Sequence, residues 1–293
     1  MPAREGDGHA TRGPLSRGIR LAAAAALALW APAAAAQRCG GLSATDLVFT
    51  AYTPFGPGVS ATSTLTYSCP PGVGQAWIAI SRPRTLRAGS NSMQFDVYQS
   101  SDLSAAWPDA PPAQVPAAPA GSVTAYGFLP PQDAAAGNYN AVLFVSLFSG
   151  PTRTFSGLTV LRVRSSVAAA CTIAAGTLSF GSYDPLGVNA VSPLDAQGTF
   201  QVACTRNTGY TVGLGPGGFA AGTVRQMASG AQRLQYELYA DPGRTSPWTA
   251  TATVGGTAPS TAPVTLTVYG RVPAGQPAPA GAYADTVQST INF

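Results

Sequence analysis

The residues most able to do chemistry are four cysteines, Cys39, Cys69, Cys171 and Cys204, which fall into two pairs. Each pair spans about 30 residues, unlike the short-spaced ligand pairs of zinc sites. The single histidine, His9, lies near the N-terminus, and all 16 cationic side chains are arginine. A Ser-His-Asp or Cys-His centre needs an imidazole, and a Schiff base needs a lysine, so neither is expected in the body of the chain. A glycosidase-like carboxylate pair would have to come from Asp184, Asp195, Glu237 and Asp241. Plainer roles suit them better: Asp184 and Asp241 each precede a proline in a turn, and Glu237 repeats Asp96 on a strand. The glycine-rich run Gly215 to Gly218 lacks the following lysine and helix of a phosphate loop and reads as a turn. No catalytic residue, metal site or cofactor is expected.

The chain opens with Arg17 and Arg20, then an uncharged apolar run from Leu21 to Trp30, then Ala33 to Ala36 ahead of Gln37. This has the form of a secretory signal peptide over residues 1–36, with an apolar core too short to span a bilayer. Its removal would take away four arginines and two carboxylates, reducing the net charge from +4 to +2. The remaining arginines are scattered, so no nucleic-acid groove is expected. In an exported chain the cysteines read as disulfides, Cys39 with Cys69 and Cys171 with Cys204, because each bond then stays within its own half.

The elements that position these residues come as one unit used twice. Laid on itself, the chain aligns Cys39 with Cys171 and Cys69 with Cys204. Gln94-Phe-Asp-Val-Tyr98 aligns with Gln235-Tyr-Glu-Leu-Tyr239, Trp107 with Trp248, and Ala136-Gly-Asn-Tyr139 with Ala280-Gly-Ala-Tyr283. With 33 Gly and 26 Pro, and no long helical apolar face, each unit reads as short strands joined by turns. In the first they are Thr45 to Thr50, Ala61 to Tyr67, Gln75 to Ile80, Met93 to Gln99, Val123 to Phe128 and Asn138 to Phe148. In the second they are Thr177 to Gly181, Gly198 to Ala203, Tyr210 to Leu214, Leu234 to Ala240, Val264 to Gly270 and Tyr283 to Phe293. Alternation such as Val264-Thr-Leu-Thr-Val-Tyr269 suits an all-β sandwich with one face inward.

Cys171-Thr-Ile-Ala-Ala-Gly-Thr-Leu-Ser-Phe-Gly-Ser-Tyr-Asp-Pro-Leu186, Gly198-Thr-Phe-Gln-Val-Ala-Cys204, Leu234 to Pro242, Trp248, Tyr269-Gly-Arg-Val-Pro273 and Ala280 to Gln288 together resemble the spore coat protein U domain. That family includes subunits of archaic, Csu-type chaperone-usher pili, whose incomplete immunoglobulin-like domains are completed by a neighbour's strand. The resemblance implies two tandem pilin-type β-sandwiches, residues 37–164 and 165–293. It also implies a periplasmic chaperone, an outer-membrane usher and a next pilin subunit as partners. The segment Phe155 to Arg164 reads as the first domain's own last strand. No counterpart follows Phe293, so the second domain is expected to lack that strand and to accept one from another subunit. Its C-terminal residues Thr290, Ile291, Asn292 and Phe293 are then the expected chaperone and donor-strand contact.

Only Gln37 and Arg38 precede Cys39 after the expected cleavage, too little to donate a strand. The resemblance therefore points to the tip of the fibre, as an adhesin exported through the periplasm to the cell surface and serving attachment or biofilm formation. A spore-coat or extracellular-matrix protein is the alternative, and a secreted carbohydrate-binding module is a third reading. Chain direction places three loops, Pro70 to Gly74, Ala105 to Gly121 and Phe148 to Phe155, at the distal end of the first domain. Val73, Trp107, Val115, Phe148 and Phe155 are accordingly expected to be displayed there toward an abiotic or host surface.

Overall fold

The computed structural model describes residues 37–293, and the expected signal peptide lies outside the described residues. The first repeat contains β1 (Gly40–Ala44), β2 (Leu47–Phe49), β3 (Val59–Ser68), β4 (Ala76–Ile80), β5 (Thr85–Ala88), β6 (Asn91–Gln94), β7 (Asp96–Tyr98), β8 (Ala113–Val115), β9 (Gly121–Leu129), β10 (Gly137–Ser149) and β11 (Thr154–Val167). The second contains β12 (Cys171–Leu178), a 3-10 turn (Val188–Ala190), β13 (Leu194–Cys204), β14 (Gly209–Leu214), β15 (Gln226–Ser229), β16 (Gln232–Gln235), β17 (Glu237–Tyr239), β18 (Val254–Thr257), β19 (Val264–Val272) and β20 (Ser289–Asn292). No α-helix occurs among the described residues.

Each repeat is a two-sheet sandwich. One sheet has the order β1-β3-β9-β7 in the first repeat and β12-β13-β19-β17 in the second. The opposing sheet is β2-β11-β10-β4-β8 in the first repeat, with the β5-β6 hairpin attached to β10; in the second it is only β18-β14-β20. Period-two patterning drives this packing. On β11, Leu161, Val163, Ser165 and Val167 point into the core while Arg162 and Arg164 point to water. The segment expected as the first repeat's last strand is thus a strand, and it continues to Val167.

Two disulfides, Cys39–Cys69 and Cys171–Cys204, join the start of the first strand of each repeat to the end of its partner strand. Closing loops of this length contributes roughly 3 to 4 kcal/mol each by the loop-entropy relation. Each core is also held by a buried arginine. Arg84 donates to the carbonyls of Val97 (3.0 Å), Ile80 (3.4 Å) and Trp107, and is ion-paired with Asp96. Arg225 donates to Gly215 (3.0 Å), Leu214 (2.9 Å) and Trp248 (2.8 Å), and is ion-paired with Glu237. A guanidinium out of water needs a counter-charge and several acceptors, and both sites supply them. Burial pushes the Arg84 guanidinium below its ordinary value, and Asp96 offsets part of that shift.

Several residues expected at exposed loop tips are core instead. Trp107 is 2 % exposed and donates its indole N–H to the Ile78 carbonyl at 3.3 Å; its counterpart Trp248 does the same to Val212 at 2.8 Å. The expected loop Ala105 to Gly121 includes one short strand, β8, which closes the sheet edge against β4 and turns Val115 inward at 6 % exposure. Val73 packs half-buried against the same core. Phe148 and Phe155 stand opposite each other in the β10-β11 ladder rather than in a loop, their rings 5.9 Å apart. Of the five, only Phe155 is more than half exposed. A large ring or a branched chain beside a free sheet edge gains more by covering the core than by facing water.

Candidate functional site

The functional geometry emerges when one repeat is set against the other. In the first, β11 is inserted between two neighbours. It runs antiparallel to β10 from Gly137↔Val167 to Ser149↔Thr154, and parallel to β2 at Val163↔Leu47, Arg164↔Val48 and Ser165↔Phe49. Its inward side chains seal the sandwich, leaving Leu47, Phe49, Leu143 and Leu147 at most 1 % exposed.

In the second repeat, β14 stands where β4 stood, β18 where β8 stood and β20 where β10 stood. Among the described residues, no strand takes the place of β11. The segment Ser179 to Gly181, expected as part of a strand, joins no ladder because the neighbour that would pair with it is absent. For the same reason the expected strand Tyr283 to Phe293 is regular only over β20. The residues equivalent to the sealed ones, Leu178, Phe180, Val287 and Ile291, are all half-exposed. They line or flank an open groove of about 1200 Å³ that runs along Ala174 to Leu186 and Ala278 to Ser289, with Phe200, Leu238, Val268 and Val272 at its floor.

This groove can do one thing well. Strand β20 bonds β14 on one edge only, so its other edge presents unpaired N–H and C=O groups above an apolar floor. An extended segment with alternating apolar residues would satisfy both. Of the C-terminal residues singled out from the sequence, Ile291 faces inward, Thr290 and Asn292 face outward, and Phe293 is 60 % exposed just beyond the strand.

The polar groups around the groove are already engaged. Asp285 accepts hydrogen bonds from the Tyr236 hydroxyl (2.7 Å) and from the Gly218 and Thr286 amides (both 2.8 Å). Burial, reinforced by Asp285, pushes the Tyr236 hydroxyl far above its ordinary value, so it stays a neutral donor. The Gly215 to Gly218 run therefore spends its amide on an internal carboxylate, with Gly217 at φ +93° making the turn. Asp184 accepts from the Leu186 (3.1 Å) and Gly187 (2.9 Å) amides, and Asp241 accepts from those of Thr245 and Ser246. Asp195 pairs with Arg271 (2.7 Å) and Arg244 (3.3 Å), and the Arg271 hydrogen bond leads in holding its carboxyl below the usual range. Of the four carboxylates considered from sequence, Asp195 and Glu237 stand on either side of Arg271 in the β13-β19-β17 ladder, where Asp195 is ion-paired with Arg271 and Glu237 with Arg225. Among the described residues, no three His, Cys, Asp or Glu side chains are grouped to hold a metal.

Sequence reading missed the two buried arginines. Their signal was present: Arg84, Asp96 and Trp107 recur as Arg225, Glu237 and Trp248 with the same spacing between them.

Comparison with known proteins identifies the family and the fold. A family model described as the Spore Coat Protein U domain matches residues 158–290. Protein U of Myxococcus xanthus is 37% identical over 158 residues, covering 49% of this chain and 88% of that protein. Among solved structures, a chain of the CsuC–CsuE chaperone-tip adhesion subunit pre-assembly complex, from the archaic chaperone-usher Csu pili of Acinetobacter baumannii, superposes with a TM-score of 0.53 at 16% identity. That match covers 86% of this chain and 100% of the other, and shows a shared fold.

Proposed function

Since this chain belongs to the spore coat protein U domain family, we propose that it is a fibre subunit of the chaperone-usher type whose second repeat is completed by a strand from another molecule. One observation carries the reading: four positions sealed by β11 in the first repeat are half-exposed along an unfilled groove in the second. Apolar floor and unpaired strand edge together cost free energy in water and favour strand addition. The occupant is first a periplasmic chaperone, then a strand of the next pilin subunit, handed over at an outer-membrane usher.

The finer reading is a two-domain tip adhesin, with residues 37–164 as the adhesive domain and 165–293 as the pilin domain. It would reach the cell surface by way of the periplasm and serve attachment and biofilm formation. Its first sandwich has its own last strand and does not need a partner, which suits a distal position. The fold shared with a complex described as containing a tip adhesion subunit supports this. The reading assigns the chain no catalytic role. Expression of the chain with and without a cognate chaperone tests it: the chain should copurify with the chaperone from the periplasm and be degraded or aggregate without it. A chain that accumulates as a monomer without any chaperone would count against the fibre reading. A coat or matrix role is the second reading, favoured by the match to Protein U. Fractionation decides between them, sheared fibres against extracted coat.

A further inference from the structure

The most exposed large apolar side chains of the first repeat lie on the outward face of β10 and β11; Val48 on β2 and Phe55 in the loop that follows it are less exposed. Val142, Phe144, Phe155 and Leu158 are 59 %, 52 %, 53 % and 55 % exposed. The ladder brings them together: Phe144 stands opposite Val160, Ser146 opposite Leu158, and Phe148 opposite both Phe155 and Trp77. The second repeat supplies an internal control. Counting from the aligned tyrosines Tyr139 and Tyr283, the outward positions Val142, Phe144, Ser146 and Phe148 become Thr286, Gln288, Thr290 and Asn292. Trp77, opposite Phe148, becomes Thr211, opposite Asn292. The same sheet position is therefore compatible with an all-polar face, and folding alone does not account for the apolar one.

The charge on this face has one sign. Arg162 lies opposite Val142, while Arg164 and Arg87 lie on either side of Asn140. At the other end the Arg153 guanidinium sits 4.4 Å above the Trp77 ring. Strands β2, β4, β5, β8, β10 and β11 contain no carboxylate, and Asp46, just before β2, is paired with Arg164 at 3.2 Å. An apolar band with arginine at both ends matches the boundary between lipid headgroups and acyl chains. Rings and aliphatic chains partition below that boundary, and guanidinium groups bond phosphates above it. An acidic polysaccharide would engage the arginines but leave the apolar band in water.

We infer that the outward face of β10 and β11 binds the surface of anionic lipid bilayers. This names the surface met by the proposed adhesive domain and rests on that reading. The test is flotation of the full chain, its groove filled by a Thr154–Val167 peptide in which the outward Phe155, Leu158, Arg162 and Arg164 are replaced by serine, so that the filler carries none of the tested face. The vesicles are phosphatidylcholine with or without phosphatidylglycerol. Arg87, Arg153 and Arg162, none of them paired with a carboxylate among the described residues, should together raise partitioning onto an anionic surface roughly 100-fold over neutral vesicles, and salt should erase the gain. Phe144→Ser with Leu158→Ser should lower partitioning roughly 10- to 100-fold at unchanged melting temperature, since both side chains already face water. Arg87→Gln with Arg153→Gln and Arg162→Gln should abolish the preference for anionic vesicles. Equal partitioning of wild type and the Phe144/Leu158 variant overturns the inference. So does equal partitioning onto neutral and anionic vesicles, or binding to soluble heparin without binding to vesicles. Attachment of assembled fibres to cells, measured in parallel, separates the two claims. Fibres that attach through this chain while it ignores vesicles sink the lipid assignment alone. Fibres lacking the chain that attach equally well sink the adhesin reading, and flotation still decides the lipid question.

Discussion

The chain contains its own test of the groove, because β11 is a strand that fits a groove of this pattern. A peptide copying Thr154–Val167, added to the full chain, should enter the second sandwich between β20 and the Leu178 to Phe180 segment. In the first sandwich Leu161 and Val163 are fully buried and Val167 is 3 % exposed, and each should find an apolar site on the groove floor. Peptide at 100 times its dissociation constant stabilises the domain that binds it by about 2.7 kcal/mol. For a domain of this size that is a rise of roughly 10 °C in the melting temperature of the second repeat. A peptide carrying Leu161→Ala loses about 2 kcal/mol or more, weakening binding roughly 30-fold or more. At the same concentration it should deliver a third of the shift or less. The assay is a thermal melt followed by near-ultraviolet circular dichroism, with Trp248 reporting on the second repeat. Equal melting with and without peptide would refute the missing-strand argument. Equal shifts from both peptides would refute the claim that inward apolar residues drive docking.

Three further outcomes follow from the packing. Arg225→Met should destabilise the second repeat by about 3 kcal/mol, since it strips Glu237 and three carbonyls of their donor; a loss under about 1 kcal/mol in urea unfolding would contradict the clamp role. Trp107→Ala should cost about 3 to 5 kcal/mol by emptying the first core, and an adhesion defect at unchanged stability would restore the loop-tip view of this residue. Asp195 has a folded value below its unfolded one, so its contribution is complete above about pH 4 and drains away as pH falls through the lower folded value. Wild type should therefore lose more stability than Asp195→Asn on acidification below about pH 4, and parallel acid-unfolding curves would exclude that linkage.

Much of this was legible in the chain itself. Cysteine pairs, a recurring tryptophan and the two aligned glycine-tyrosine motifs declare a duplication, and period-two alternation declares strands, because both are properties of local order along the chain. The strand-like apolar residues of Phe155 to Arg164 even identify the last strand of the first repeat, though its continuation to Val167 was seen only in the structure. Three things were decided only in three dimensions. Trp107 and Val115 look like loop residues among prolines, yet they turn inward because β8 closes an edge whose existence depends on distant β4. Arg84 and Arg225 look like surface charges until the fold surrounds each with carbonyls from segments distant in the chain. The stretch Ala141 to Phe148 is apolar on both faces, so period two cannot say which side meets the core. Alternation separates two faces of a strand; only the neighbours that pack against it determine which face is covered and which is left to meet another surface.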